Sequence, residues 1–238
     1  MMHQLPLGIR LKPGVSFDNF IVGDNAEAIA NLIKGIEGIG DPFIFLWGET
    51  DTGKTHLLQA SCQKADSLDQ AAVYIPLRQH SELAPEVLSG LEQMDLVCLD
   101  DIEEISGDPL WEQALFNLFN GLRSNGKRLL VSADRGPLNL GLALPDLASR
   151  LTWGLSYRLQ TLSEGDKRQA LITAAEGRGL QLPEETALYL LRRAPRNMGA
   201  LLQLLEHLDQ ASLAAQRRLT IPFVRSQLEI KNGSLKGD

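Results

Sequence analysis

Short apolar runs alternate with amphipathic stretches through the first two thirds of the chain. Strands buried in a parallel sheet are apolar nearly throughout, and this pattern occurs at residues 42–48, 71–77, 95–101 and 127–134, with a candidate fifth strand at 157–162. Helices are predicted between them at residues 24–35, 54–65, 81–93 and 108–126. This alternation predicts an α/β fold with a parallel sheet covered by helices.

After residue 162 the pattern changes, because only segments with helical periodicity follow. They cover residues 163–176, 183–193, 197–215 and 221–230. The first 16 residues contain two prolines and two glycines and have no helical period. We therefore predict an N-terminal arm (1–16), an α/β domain (17–162) and a small all-helical domain (163–238).

Composition restricts the possible functions. The chain has 238 residues, a net charge of −7 and 44% hydrophobic residues, which argues against a surface built mainly to bind DNA phosphates. Its two cysteines, Cys62 and Cys98, lack a metal-ligand spacing, and Cys98 lies in an apolar run that predicts burial. No run approaches the roughly 18 apolar residues of a membrane helix, and the N-terminus does not resemble a signal peptide. These features predict a cytoplasmic protein with no membrane contact.

A phosphate-binding loop is predicted at residues 48–55, GETDTGKT, between a predicted strand and a predicted helix. Gly48 and Gly53 allow the backbone N–H groups to turn toward an anion. Lys54 would reach the β- and γ-phosphates, and Thr55 would offer its hydroxyl to Mg²⁺. The other predicted nucleotide-binding residues are Thr50, Asp51 and Thr52 in this stretch and His56 just after it.

Two carboxylates end the third predicted strand, at the edge of a parallel sheet where ligands bind. Asp100 is predicted to hold Mg²⁺, the Walker-B role, and Asp101 is placed to polarise a water. Many ATPases of this kind carry Glu at the second position, and Asp is one methylene shorter. Fast hydrolysis by this chain is therefore not expected.

Four further segments carry a resemblance to the AAA+ ATPases, and within them to the DnaA branch. They are residues 17–29, 129–137, 147–155 and 196–205. The resemblance implies a P-loop AAA+ core followed by a helical lid, with an adenine nucleotide, ADP or ATP, and Mg²⁺ as ligands. ADP is implied for the active form.

The resemblance also implies roles for individual residues. Phe20 and Val22 would line the adenine pocket. Asp134, with Ser132 on the same strand, would be the sensor-1 group. The alternative is an ordinary Asp that ends the strand and starts a turn. Arg196 would be the sensor-2 arginine of the lid, or one more solvated charge.

Arg150 matches the position from which AAA+ proteins extend an arginine into a neighbouring subunit's nucleotide site. An arginine supplied in this way stabilises the charge of the transferring phosphoryl group. Phe116 and Asn120 are four residues apart, so they share a face of the predicted helix 108–126. These two residues could form a partner interface. For Phe116, packing in the core is the alternative.

Gln4, Leu5 and Leu7 belong to a sequence, QLPL, that resembles the peptide by which bacterial replication proteins bind the DNA sliding clamp. The fullest form of that peptide ends in an aromatic residue, whereas Gly8 and Ile9 follow here. The alternative is that the leucines pack against the chain's own domain.

Together the resemblances imply a DnaA-related negative regulator of replication initiation, since the chain stops where the lid stops and has no DNA-binding domain after it. It would bind the sliding clamp, contact DNA mainly through that clamp, and use Arg150 to stimulate hydrolysis of ATP bound to DnaA. Its own hydrolysis would be weak or absent, and homo-oligomers are expected. The alternatives are a helicase-loader type of AAA+ ATPase and an ATP-driven enzyme that acts alone.

Overall fold

The alternating pattern forms a five-stranded parallel sheet flanked by helices in a computed structural model, which describes residues 15–193 and 197–234. The strands are β1 (Phe43–Trp47), β2 (Ala72–Pro76), β3 (Leu96–Asp100), β4 (Arg128–Ala133) and β5 (Leu155–Arg158). The helices of this part are α1 (Ala26–Ile36), α2 (Lys54–Asp66), α3 (Pro109–Ser124) and α4 (Pro145–Leu151). The predicted α/β class is confirmed.

The strand order is β2-β3-β4-β1-β5, with every neighbouring pair parallel. All five strands therefore end at one edge, which we call the carboxyl edge, and begin at the opposite, amino edge. Successive side chains point to opposite faces of the sheet. Phe45 packs in the core beneath α3, whereas Ile44 and Leu46 pack in the core beneath α1 and α2.

Helix boundaries follow from capping groups that the sequence exposes. Asp108 caps α3, because its carboxylate accepts from the N–H groups of Leu110 (2.9 Å) and Trp111 (3.3 Å), and Pro109 occupies the first helical position. Cys98 is fully buried, as predicted.

Two element predictions are wrong. Residues 81–93 form no long helix but contribute to three short 3₁₀ turns, Leu77–Glu82, Pro85–Leu88 and Leu91–Gln93, because Pro85 starts one turn and Gly90 has φ +83°. The fifth strand is Leu155–Arg158 rather than 157–162. It ends there because the main chain of Gln160 bonds to the side chain of Asn25 instead of to a strand.

Contacts divide the chain into two units between Thr161 and Leu162. The second unit comprises α5 (Glu164–Glu176), α6 (Glu184–Arg193), α7 (Met198–Ala215) and α8 (Ile221–Ser234). Its own leucine-rich core includes Leu171, Leu190 and Leu205. Among the described residues, no helix combines the length and apolar character needed to cross a membrane.

Candidate functional site

The phosphate loop connects the end of β1 to the start of α2. Gly53 has φ +93°, and a Cβ at this position would lie 2.5 Å from the ring of Phe20, so no other residue fits here without displacing that ring. The ammonium of Lys54 is buried and donates to the carbonyl oxygens of Gly48 (2.7 Å) and Glu49 (3.0 Å). The predicted lysine thus lies within the loop, at the positive end of α2.

Asp100 ends β3 with only 1% of its surface exposed. Three hydroxyl groups donate to its carboxylate: Thr55 Oγ1 (2.7 Å), Tyr74 OH (2.7 Å) and Ser132 Oγ. The structure therefore brings together Thr55 and Asp100, the two residues predicted to hold Mg²⁺. Tyr74 was not predicted, and its only sequence signal is a hydroxyl-bearing side chain inside an apolar strand.

The donor set suits Mg²⁺, which prefers carboxylate oxygens together with nucleotide phosphates and water rather than a closed protein cage. Thr55 and Asp100 supply two such oxygens at the end of the phosphate loop. In the part of the chain that the structure describes, no three His, Cys, Asp or Glu side chains are grouped for a metal. Thr55 and Asp100 are thus the two described residues whose oxygens fit the predicted Mg²⁺ role.

Asp101 follows β3 in a left-handed conformation, with φ +59°, that is uncommon for a residue other than glycine. Its carboxylate lies 3.2 Å from Nε of Arg78, and its N–H donates to Ser132 Oγ at 3.0 Å. Burial raises the pKa of Asp101 and the charge of Asp100 adds to this, while Arg78 opposes it. Asp101 is thus a buried carboxylate beside Asp100, in contact with the Arg78 cation.

Ser132 and Asp134 occupy different environments at the end of β4. The buried hydroxyl of Ser132 donates to Asp100 and accepts from the Asp101 backbone. Asp134 is exposed, and both of its oxygens accept from Arg135 at 2.7 Å, which lowers the pKa of Asp134. Ser132 therefore contacts the carboxylate pair, and a sensor role for Asp134 stays a prediction.

The segment before α1 packs against the phosphate loop. Besides its contact with Gly53, the Phe20 ring lies 5.3 Å from the ring of His56, and Nε2 of His56 is 2.8 Å from the carbonyl oxygen of Ser16. Val22 is 40% exposed. Phe20 and His56, two of the predicted nucleotide-binding residues, are therefore neighbours.

Asn25, which was not predicted, fastens this segment to the end of the sheet. Its buried side chain accepts from the N–H of Gln160 (2.7 Å) and donates to the carbonyl of the same residue (3.1 Å). From the sequence, an asparagine beside the start of a helix suggests only a helix cap. Its partner Gln160, 135 residues away, is visible only in the structure.

A second cluster surrounds Arg150, near the end of α4. Its Nε donates to Asn120 Oδ1 at 2.7 Å, and its guanidinium carbon lies 4.4 Å from the ring centre of Phe116 and 5.3 Å from that of Trp153. The structure therefore brings together Arg150, Phe116 and Asn120. We call these three residues and Trp153 the arginine cluster.

The arginine cluster lies at the amino edge of the sheet. Gly154, just after Trp153, packs so tightly on Phe43 that a Cβ would lie 1.9 Å from the Phe43 carbonyl oxygen. Phe43 is the first residue of β1, whereas the phosphate loop follows its last residue, Trp47. The strand rises about 3.3 Å per residue, so its length separates Arg150 from the chain's own phosphate loop.

The remaining predicted residues, Arg196 and the arm residues Gln4, Leu5 and Leu7, lie outside the described part of the chain.

The observed features are a parallel sheet in this order, a phosphate loop after β1, a buried carboxylate pair and a following helical unit. Together they define a P-loop nucleotide-binding protein of the AAA+ class. The family model of the bacterial DnaA ATPase domain matches residues 11–158, and the chain belongs to this family. A second model, the Hda lid domain, matches residues 164–228. The resemblance to DnaA-related AAA+ proteins is thereby confirmed, and it is of the Hda type.

Solved structures agree with this assignment. Domain III of DnaA from Thermotoga maritima superposes with a TM-score of 0.76 at 23% identity, over 93% of this chain and 98% of that one, and supports the fold. DnaA bound to AMPPCP and single-stranded DNA gives a TM-score of 0.70 at 27% identity, over 82% of this chain and 66% of that one. AMPPCP-bound DnaA from Aquifex aeolicus gives 0.69 at 26% identity, over 83% and 66%.

Proposed function

We propose that this chain is a DnaA-related regulator that holds an adenine nucleotide in its phosphate loop and stimulates the hydrolysis of ATP bound by a DnaA partner. The observation that carries the proposal is the placement of Arg150. Asn120 and Phe116 hold its guanidinium at the edge of the sheet opposite the chain's own phosphate loop, where another molecule can contact it.

The nucleotide part of the proposal rests on the carboxyl edge. Lys54 and the start of α2 provide positive charge for phosphates, and Thr55 and Asp100 provide oxygens for Mg²⁺. Bound Mg²⁺ would neutralise phosphate charge. The AMPPCP carried by two DnaA neighbours supports an adenine nucleotide, and we propose that the active form here contains ADP.

Three contacts prepare Arg150 for contact with an oxyanion. Asn120 engages Nε, and the rings of Phe116 and Trp153 restrict the guanidinium plane. Its two terminal nitrogens make no hydrogen bond or ion pair with any described residue, which leaves the paired donors that bind phosphate oxygens. An ordered arginine loses less entropy on binding, so it is well suited to stabilise a partner's transition state.

Hydrolysis by the chain alone is expected to be slow. Asp101 is shorter than glutamate and is engaged by Arg78, and Arg150 lies at the opposite edge of the sheet. The chemistry would then occur on the partner's nucleotide, with this chain as a regulator.

The remaining parts of the proposal concern location and assembly. Gln4, Leu5 and Leu7 would bind the DNA sliding clamp. This contact would bring an acidic protein to DNA indirectly. The protein would act in the cytoplasm. Contacts through the arginine cluster would also allow homo-oligomers. A helicase-loader role is the alternative, which would require binding to a replicative helicase instead of the clamp.

The test is a reconstituted assay with ATP-loaded DnaA, clamp on DNA and this protein, each omitted in turn. Arg150→Ala should lower the stimulated rate by about 10³-fold, the lower end of the effect of arginine fingers. It should leave nucleotide and clamp binding unchanged. Arg225→Ala serves as the control, because it removes an exposed arginine that pairs with Glu229 in α8.

Stimulation by Arg150→Ala at the wild-type rate would refute the assignment of the finger. Deletion of residues 1–9 should abolish clamp capture and clamp-dependent stimulation together. Capture of a replicative helicase by the intact chain, without clamp capture, would favour the loader role.

A further inference from the structure

Glu112 is a fully buried carboxylate in the first turns of α3. Its Oε1 accepts from the backbone N–H groups of Gly107 (2.7 Å) and Ala143 (3.0 Å), and its Oε2 accepts from that of Leu144 (2.7 Å). A buried charge requires such compensation, and three charge-assisted hydrogen bonds make this a strong junction.

These bonds fix the place where α4 begins. Leu144 is the residue before the helix, and Pro145, its first residue, has no N–H to offer. The third bond, to Gly107, joins the same carboxylate to the loop that precedes α3. Glu112 therefore ties the start of α4 to the base of α3.

The spacing along α3 links Glu112 to the arginine cluster. Glu112, Phe116 and Asn120 are successively four residues apart, so they lie on one face of the helix. Phe116 and Asn120 contact Arg150 near the end of α4, and Glu112 holds the residues before its start. One face of α3 therefore contacts α4 at both of its ends.

We propose that Glu112 is a positioning residue for Arg150. The inference rests on the proposed function, because it assigns Glu112 to the presentation of the same arginine. α4 has seven residues, about two turns, so a displacement of its start is carried to Arg150 by a short rigid helix. Misplacement of a reacting group by about 1 Å can lower a rate by up to 10²-fold.

The test compares Glu112→Gln with Asp108→Ala. Glutamine keeps the volume but replaces one accepting oxygen with an NH₂ group, which cannot accept. The variant therefore loses either the bond from Leu144 or the two bonds from Gly107 and Ala143. Asp108→Ala removes the cap of the same helix, and the Asp108 side chain makes no hydrogen bond to α4 among the described residues. It therefore controls for simple destabilisation of α3. Glu112→Asp, which keeps the charge on a shorter side chain, provides a milder variant.

Two readouts separate positioning from stability. The first is the ¹⁹F NMR spectrum of the full chain labelled with 5-fluorotryptophan, with the Trp153 resonance assigned through Trp153→Phe. This resonance should respond to the nearby Arg150 guanidinium, and Trp47 at the end of β1 provides a reference. The second is stimulated hydrolysis of DnaA-bound ATP, resolved into the maximal rate and the DnaA concentration at half-maximal rate.

For Glu112→Gln we expect a shifted Trp153 resonance and a maximal rate lowered about tenfold, with nucleotide binding retained. Glu112→Asp should shift the resonance in the same direction by less, and Asp108→Ala should leave both readouts near wild type. An unshifted Trp153 resonance in Glu112→Gln, or equal losses in Asp108→Ala, would overturn the inference. If Arg150→Ala stimulated normally, the proposed function would fail, and the Trp153 resonance alone would decide the role of Glu112.

Discussion

The two edges of the sheet are built in opposite ways. At the carboxyl edge, Asp100 is almost completely buried and accepts from three hydroxyl groups, and Lys54 is bonded to the loop that contains it. At the amino edge, Arg150 is half-buried, is hydrogen-bonded through one nitrogen only among the described residues, and lies beside Trp153, which is 52% exposed.

This difference separates a site whose polar groups satisfy one another from a site whose arginine keeps donors for a further contact. Buried groups that satisfy one another hold a ligand within the same molecule, whereas an ordered cation beside an exposed aromatic ring is typical of an interface. The comparison predicts that changes at one edge leave the function of the other edge intact.

Gly154→Ala should have the largest effect on stability, because the backbone at this point of the amino edge leaves no space for a side chain. A Cβ there would lie 1.9 Å from the Phe43 carbonyl oxygen, so the loop or β1 must move. We expect a loss of about 4 kcal/mol or more in the free energy of unfolding, as for other severe overpacking of backbone. Urea denaturation followed by circular dichroism measures this loss.

Gly165→Ala is the matched control, since its Cβ would meet only the side-chain oxygen of Ser163 at 3.6 Å, within the first turn of α5. Alanine is the better helix former, so this variant should be as stable as the wild type or more stable by up to about 1 kcal/mol. Equal stability of the two variants would show that the close approach at Gly154 is relieved at little cost.

Lys54→Ala should have the next largest effect, confined to the carboxyl edge. Removal of the ammonium that contacts phosphates should weaken adenine nucleotide binding about 100-fold, or about 2.7 kcal/mol, within the range for charge-assisted hydrogen bonds. Isothermal titration calorimetry with ADP measures the affinity. Lys64→Ala, on the same helix and paired with Glu37, is the control that should bind normally. Loss of the Arg150–Trp153 contact in Lys54→Ala would contradict the independence of the edges.

The sequence predicts the carboxyl edge well because its signals are local. The phosphate loop and the carboxylate pair are contiguous motifs, each next to an apolar strand, and parallel strands necessarily bring their ends to one edge. The order of the five strands is not contained in any such motif. Residues 81–93 carry a local helical pattern, but Pro85 and Gly90 interrupt it, so short turns form instead of a helix.

The amino edge was predicted only in part, because its contacts join distant segments. Arg150, Phe116 and Asn120 were each selected from the sequence, but the bond between Arg150 and Asn120 spans 30 residues and has no local signal. The role of Glu112 cannot be predicted from the sequence for the same reason. A glutamate in the first turn of a helix is usually exposed and interacts favourably with the helix dipole. The structure shows instead a buried junction.

Asp101→Asn should have the smallest effect, a change in how the free energy of unfolding depends on pH. It is compared with a substitution of Asp134, the carboxylate at the same edge whose pKa shifts in the opposite direction. Burial raises the pKa of Asp101, so the folded protein keeps this proton at pH values where the unfolded chain has lost it. The stability of the wild type should therefore decrease as pH rises from the ordinary aspartate pKa through the raised value. Asp101→Asn removes this term, so its stability relative to wild type should increase over that interval and then stay constant.

Asp134→Asn provides the opposite case, because the bond from Arg135 lowers the pKa of Asp134. The stabilisation from that carboxylate is present above the ordinary aspartate pKa and is lost as pH falls through the lowered value. This variant should be less stable than wild type at neutral pH, with the difference disappearing in acid. Urea denaturation at a series of pH values measures both. The same direction of pH dependence in the two variants would mean that burial at Asp101 is outweighed by its contact with Arg78, which would make both carboxylates members of stabilising ion pairs.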